Sequence, residues 1–328
     1  MKKAFRILII FIATSVFIYL GAAYAMILFS NVKQPAHEQK SLDFEHIATD
    51  GQALPRLDEY EASDGTRLQY RHYEADTDSV LILLHGSGYH SSYLQPLAEH
   101  LSKEGIASVY TPDLRGHGRD TDKRGDIDYI GQIEHDLYDF IELVRGRHPG
   151  EAIVLGGHSS GGGTVIRTAG GEYSHEAVDK YLLIAPYIHH NAPTDKSGEN
   201  GWANVNMPRM IGLSMLNQVG ISHMNNRDVI SFNMPEEYRD GTETLKYSYR
   251  MQASMHPRDD YHHDIDSMEG DVLVLAGRED ESFRALEYKT VFDDHDQVEV
   301  VLLDDLSHFA PIYDAEAHEA IGEWLPLQ

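Results

Sequence analysis

The amino-acid sequence predicts an α/β fold, a mostly parallel central sheet with helices on both faces. Three observations predict it. Short apolar runs such as Ser79-Val80-Leu81-Ile82-Leu83-Leu84 have the unbroken character of strands buried on both faces. Between them lie stretches of helical spacing, with Leu94, Leu97, Ala98 and Leu101 in one and Ile130, Ile133, Leu137, Phe140, Ile141 and Val144 in another. The two patterns alternate along the chain, as they do where crossover helices join parallel strands.

The chain opens on something else. Lys2, Lys3 and Arg6 precede an uncharged run from Ile7 to Phe29, which as a helix is about 35 Å long. That is enough to cross a hydrocarbon core of about 30 Å, and the basic flank stays in the cytoplasm. Residues 1–30 are therefore expected to be an uncleaved transmembrane anchor, with the rest of the chain on the extracytoplasmic side. Ala23-Tyr24-Ala25 resembles a small-x-small cleavage site, so a removed signal peptide and a secreted domain form the rival reading. Against cleavage, Met26 to Phe29 continue the apolar run beyond that point.

Residues 31–57, polar and carrying Pro35 and Pro55, read as a linker. Tyr60–Ser63 and Arg67–Tyr73 flank Asp64-Gly65, a tight-hairpin signal. After the Ser79–Leu84 strand come a helix over Ser92–Lys103, a strand over Ala107–Tyr110 and a helix over Tyr129–Arg145. Ala152–Leu155 is strand-like and runs into a glycine-rich turn and a helix. Tyr181–Ile184, Val272–Leu275 and Val298–Leu303 are further strands, and Ala315–Trp324 a closing helix. Between Pro186 and Ser267 the alternation stops, with helical spacing only near Met210–Val219 and Thr242–Met251. The core is thus expected over 58–185 and 268–328, with 186–267 as a cap insertion over the sheet's carboxyl edge.

Composition excludes some classes of function. Against 27 Lys and Arg stand 53 Asp and Glu, a net charge of −26, which repels nucleic-acid phosphates. The absence of cysteine excludes disulfides, a thiol nucleophile and thiolate metal sites. His189-His190 and His262-His263 are adjacent pairs whose side chains diverge, so they seldom chelate together, and no H-E-x-x-H spacing occurs. They read as exposed or pocket-rim histidines, and no metal is expected.

The chemical signal is Gly157-His158-Ser159-Ser160-Gly161, a G-x-S-x-G match set between an apolar strand and a helical stretch. A nucleophile elbow requires that setting: flanking glycines permit a sharp turn that lifts the Ser159 hydroxyl into a cleft. No Lys-Ser/Thr pair follows the glycines, which disfavours a phosphate-binding loop. A serine nucleophile needs a base, an orienting carboxylate and a site for the developing oxyanion. Asp280 follows the Val272–Leu275 strand and His308 follows the Val298–Leu303 strand, both at carboxyl ends where open α/β sheets place their sites. Glu279 is the rival acid, Glu281 a weaker one. One oxyanion donor is the Ser160 N–H; the other comes from His85-Gly86-Ser87-Gly88, with Ser87 assigned and Gly86 its rival.

These residues carry a resemblance. With Asp113-Leu114-Arg115-Gly116-His117-Gly118, Gly277-Arg278-Glu279-Asp280 and Ser307-His308-Phe309 in order, the chain from residue 60 onward resembles α/β-hydrolases of the monoglyceride lipase, lysophospholipase and serine aminopeptidase-like group. The resemblance implies the α/β-hydrolase fold, a Ser159–His308–Asp280 triad, no cofactor and a cap before the acid-bearing strand. Ser160 stands where relatives often carry Met or Gln, and 186–267 matches no cap of known substrate. The expected function is hydrolysis of a carboxylic ester, such as a monoacylglycerol or lysophospholipid, through an acyl-enzyme on Ser159. An amidase or peptidase, or a non-catalytic binding protein on the same fold, are the alternatives.

Overall fold

The computed structural model describes residues 1–32, 42–44, 53–172, 178–196 and 201–326. Helix α1 spans Lys2–Leu28. The body then runs β1 (Asp58–Glu61), β2 (Arg67–Tyr73), β3 (Ser79–Leu84), α2 (Gln95–Lys103), β4 (Ser108–Pro112), α3 (Gln132–Arg147), β5 (Ala152–His158), α4 (Ser160–Ala169) and β6 (Lys180–Ile184). It continues through β7 (Ala203–Val205), α5 (Met207–Gln218), β8 (Asp228–Phe232), β9 (Lys246–Ser248), α6 (Tyr249–Ser254) and α7 (Tyr261–Asp266). It closes with β10 (Asp271–Gly277), α8 (Tyr288–Val291), β11 (Val298–Leu303) and α9 (Ala315–Trp324).

Eight strands form one sheet in the order β1-β2-β4-β3-β5-β6-β10-β11. The β1–β2 hairpin and the β2–β4 pair are antiparallel; every other pair is parallel. Gly65, at φ 82°, supplies the left-handed residue of the hairpin turn. All six residues of β3 are buried, as its unbroken apolar run requires of a strand with helices on both sides. Register sets the carboxyl ends level: Leu84 faces Gly157, His158 faces Ile184, Leu275 also faces Ile184, and Gly277 faces Leu303. The loops leaving β3, β5, β10 and β11 therefore open on one edge of the sheet.

Two expected helices begin elsewhere. The one expected from Tyr129 starts at Gln132, because Gly131 takes φ 98° and cannot lie within an α-helix. The helix expected over Thr242–Met251 is strand β9 followed by α6, which the Ser248 side chain caps by accepting from Met251 N–H. Between β6 and β10 the chain leaves the main sheet, and β7, β8 and β9 form a separate antiparallel sheet. Thr244 N–H bonds Gly88 carbonyl and Ser248 N–H bonds Gly125 carbonyl, tying this unit to loops of the main body. Within the sequence-predicted linker, part lies outside the described residues, but Leu42 and Phe44 are buried in the core, which a solvated tether does not do.

Candidate active site

Ser159 sits between β5 and α4 at φ 57° and ψ −122°, a conformation that non-glycine residues rarely adopt. Such a backbone costs about 1–3 kcal/mol and persists only where its surroundings hold it. Here the Ser159 N–H donates to Ile184 carbonyl at 2.9 Å, and its own carbonyl accepts from Gly163 and Tyr187 N–H at 3.1 and 2.9 Å. The flanking glycines are required by space. A Cβ on Gly157 would lie 2.4 Å from Gly161 carbonyl carbon, and one on Gly161 would lie 2.6 Å from the carbonyl oxygens of Leu84 and His85.

Asp280 and His308 are buried side by side, His308 Nδ1–H donating to Asp280 Oδ2 at 2.9 Å. The other carboxylate oxygen accepts from Ser282 and Phe283 N–H at 2.7 and 2.9 Å. Glu279 is exposed and makes no contact of this kind, so the carboxylate placed against His308 is that of Asp280. Glu281 has a different position: its Oε2 accepts the His308 backbone N–H at 2.9 Å and its Oε1 that of Asp43 at 2.9 Å. Burial works against a charge on His308, yet the Asp280 charge and hydrogen bond, with Glu281 behind them, raise its pKa above the ordinary histidine value.

The two oxyanion candidates after β3 separate cleanly. Gly86 N–H is committed to the Tyr93 hydroxyl at 2.6 Å and Gly88 N–H to the Tyr247 hydroxyl at 3.1 Å. Ser87, between them, has no such acceptor among the described residues and lines the pocket above Ser159. Ser160 opens α4, so its N–H precedes the helical hydrogen-bond ladder.

A buried relay, not read from the sequence, links these loops. His158 Nε2–H donates to His308 carbonyl at 3.1 Å, which leaves Nδ1 to accept from the Tyr93 O–H at 2.9 Å. Tyr93 oxygen in turn accepts the Gly86 N–H. Burial, and then the proximity of His308, hold the His158 pKa well below the ordinary value, consistent with this neutral tautomer. Phe44 was also missed. Its ring lies 5.5 Å from Trp202 and 5.5 Å from Phe309, the neighbour of His308. A lone Phe in a polar stretch offers no periodic signal.

The pocket over Ser159 has a volume of about 140 Å³ and opens to solvent, with Trp202, Val205, Ile230, Phe232, Met255 and Phe283 as its apolar walls. Ser160 and Ser282 are among its lining residues, and their hydroxyls are buried and without hydrogen-bond partners among the described residues. Among the described residues, Asp195 is the one carboxylate on its lining. The histidine pairs lie elsewhere: His189 is buried against the Tyr261 ring rather than exposed, whereas His190, His262 and His263 are exposed. Among the described residues no group of three metal-ligating side chains converges.

A parallel sheet with a serine on a strained strand–helix turn, and acid and histidine on successive later strands, defines an α/β-hydrolase. The chain belongs to the serine aminopeptidase S33 family, whose model matches residues 75–309. It is 32% identical over 115 residues to a monoacylglycerol lipase of Mycolicibacterium smegmatis, covering 34% of this chain and 41% of that protein. It is 30% identical over 128 residues to the monoglyceride lipase of Homo sapiens, covering 38% and 41%. The matches thus span about two-fifths of the length of these relatives. The structure of a soluble variant of monoglyceride lipase from Saccharomyces cerevisiae, in complex with a substrate analog, superposes with a TM-score of 0.64 at 17% identity, over 84% of this chain and 96% of that one. At that identity the likeness shows the fold alone.

Proposed function

We propose that the protein is a serine hydrolase that cleaves a carboxylic ester through an acyl-enzyme on Ser159. The observation that carries this reading is the buried Asp280–His308 hydrogen bond, tied by the His158–His308 bond to the residue next to a serine that is held in a left-handed turn on the lining of an apolar pocket. His308 takes the Ser159 proton during attack, Asp280 orients the imidazolium, and the Ser87 and Ser160 amides receive the oxyanion. His308 then activates water against the acyl-enzyme. Residues 186–267 act as the cap that supplies most of the apolar wall.

Among esters, a single-chain acylglycerol or lysophospholipid fits the walls best. Aromatic and aliphatic side chains suit one acyl chain. The relatives named monoglyceride lipase favour the same substrate class. Asp195 on the lining supports a second reading, an aminopeptidase whose substrate ammonium pairs with that carboxylate. Residues 1–30 serve as an uncleaved anchor that holds the domain at the extracytoplasmic face. Ala23 and Ile27, on either side of the cleavage point that would follow Ala25, are packed against the domain and support retention.

Fluorophosphonate labelling of the chain beside Ser159→Ala and His308→Ala tests the mechanism. Labelling should vanish in the first variant and slow strongly in the second; an unlabelled, folded parent would overturn the hydrolase reading. Matched monoacylglycerol and amino-acyl p-nitroanilide substrates then separate the lipase from the aminopeptidase.

A further inference from the structure

Two tyrosine hydroxyls hold the backbone on either side of Ser87, and they come from different parts of the chain. Gly86 N–H donates to Tyr93 of the main body at 2.6 Å, and Gly88 N–H donates to Tyr247 of strand β9 in the cap at 3.1 Å. The Ser87 N–H itself belongs to the peptide plane between Gly86 and Ser87, which His85 grips. His85 Nε2 accepts the Leu114 N–H at 3.0 Å, so the ring proton is on Nδ1 and is donated to Gly86 carbonyl at 2.8 Å. In a trans peptide the N–H points opposite to the C=O, so this bond turns the Ser87 N–H away from His85. The plane that follows, between Ser87 and Gly88, is held by the cap.

Three cap residues surround Gly88. Besides the Tyr247 hydroxyl on its N–H, its carbonyl accepts the Thr244 N–H at 2.9 Å. The Trp202 indole lies against it, 2.9 Å from where a Cβ would stand. With φ at 86°, Gly88 is a glycine by conformation as well as by space.

Tyr247 is itself braced. Its side chain is fully buried, edge-on to Phe232 with ring centroids 4.7 Å apart. The β8–β9 pair carries a bulge here: Asp228 faces Ser248 and Ile230 faces Tyr247, which leaves Val229 as the extra residue. Bulges of this kind re-aim side chains beside active sites. His117 fixes the hydroxyl proton. Its Nδ1 lies 3.2 Å from Arg115 carbonyl, which can only accept, so Nε2 is left to accept the Tyr247 O–H at 2.5 Å. Burial, and then the proximity of His85, hold the His117 pKa well below the ordinary value and keep the ring neutral. With its proton given to His117, the Tyr247 oxygen meets Gly88 N–H as an acceptor. His117 belongs to the Asp113–Gly118 stretch, which has no part in the triad.

Resting on the serine-hydrolase reading above, we infer that Tyr247 is a positioning residue of the oxyanion hole, fixing the Ser87–Gly88 peptide and with it the aim of the Ser87 N–H. The cap then helps to build the oxyanion hole as well as covering it. Donors fixed in advance stabilise an oxyanion without reorganising during the reaction. Without the Tyr247 hydroxyl the buried Gly88 N–H lacks an acceptor, and its peptide regains one only by turning, which moves Ser87.

The test compares the full chain in detergent with Tyr247→Phe and His117→Asn. Phenylalanine keeps the ring against Phe232 and removes only the hydroxyl. Asparagine keeps an N–H for Arg115 carbonyl and removes the acceptor of the Tyr247 proton. Fluorophosphonate titration to completion counts active sites, so lost folded protein is not read as lost rate. Two quantities are then measured per site: kcat/KM for p-nitrophenyl butyrate, and Ki for an alkyl trifluoromethyl ketone, whose adduct with a serine oxygen leaves its oxyanion in the hole. Outright removal of one oxyanion donor costs about 10²–10³-fold, so a displaced donor in Tyr247→Phe should cost about 10- to 100-fold. The loss should be equal in kcat/KM and in Ki, with His117→Asn changing both in the same direction. If Tyr247→Phe yields no titratable sites, His117→Asn is read by the same criterion. A fall in kcat/KM with Ki unchanged, or no fall in either, would overturn the inference and leave the hydrolase standing. A folded parent that does not titrate would overturn the hydrolase reading, and the inference with it.

Discussion

Replacing Asp280 with Asn should abolish nearly all activity while leaving the fold intact, and the hydrogen bonds of the carboxylate say why. Oδ1 accepts two backbone N–H groups, from Ser282 and Phe283. An asparagine must keep its carbonyl oxygen there, which turns its NH2 toward His308 Nδ1. The imidazole then offers a lone pair at Nδ1 and carries its proton on Nε2, the nitrogen that must accept the proton of Ser159. A wrong tautomer of this kind lowers the rate about 10⁴-fold, about 5.4 kcal/mol of transition-state stabilisation. The pH profile gives an independent readout. In the parent, burial is outweighed by Asp280 and Glu281, so His308 titrates above the ordinary histidine value of about 6.5. The base works only when neutral, so labelling should rise with pH along a limb lying above that value. In Asp280→Asn the burial remains and the largest opposing charge is gone, which moves the limb downward. The assay is the second-order rate of fluorophosphonate labelling across pH for both proteins. A loss smaller than ten-fold, or a limb that stays where it was, would refute the assignment of Asp280.

Tyr93→Phe removes the acceptor of the buried Gly86 N–H and the donor to His158, and should cost about 1–3 kcal/mol in a urea titration of the full chain in detergent. Phe44→Ala should cost about 3–5 kcal/mol by the same measurement, because the ring is 2% exposed and packed on Trp202, Tyr238 and Phe309; a loss below about 1 kcal/mol would show that the segment is not part of the core. Burial chiefly lowers the pKa of both His85 and His256 to about 4. The unfolded chain binds those protons first, so stability should fall as pH drops from about 6.5 toward about 4, by about 2 kcal/mol per histidine at pH 5. A denaturation midpoint that is flat over that interval would contradict it.

The part of the fold that repeats was legible in the sequence, and for a physical reason. A strand buried on both faces must be apolar throughout, so β3, β5, β6 and β10 announce themselves by composition and need no partner to be recognised. Strand β11, a half-buried edge strand, is legible by its β-branched residues instead. The site residues follow from the same rule, since the loops at the carboxyl ends of those strands are the places where chemistry can be mounted. Asp280 was read together with a rival two atoms of backbone away, because sequence fixes the loop but not which carboxylate turns inward. The hydrogen bonds from Ser282 and Phe283 decide that, and they depend on how the loop folds back on itself. Ser87 was chosen over Gly86 on position alone; the physical discriminator is Tyr93, which occupies the Gly86 N–H from a different segment.

What was not legible is built from contacts between segments remote in the chain, and it bears on the substrate more than on the chemistry. Phe44, from the stretch read as a tether, packs on Trp202 of the cap and on Phe309 beside His308. Asp43 N–H holds Glu281, and Glu281 holds the His308 backbone. The segment joining α1 to the main body thus reaches the histidine through one carboxylate and the pocket wall through one ring. Helix α1 meets the cap a second time at Gly212. The Phe44 contact acts on the wall of the pocket through Trp202 rather than on Ser159 itself. An N-terminal region that only tethered the domain would leave that wall untouched; this one is packed against it, so removing it changes the pocket.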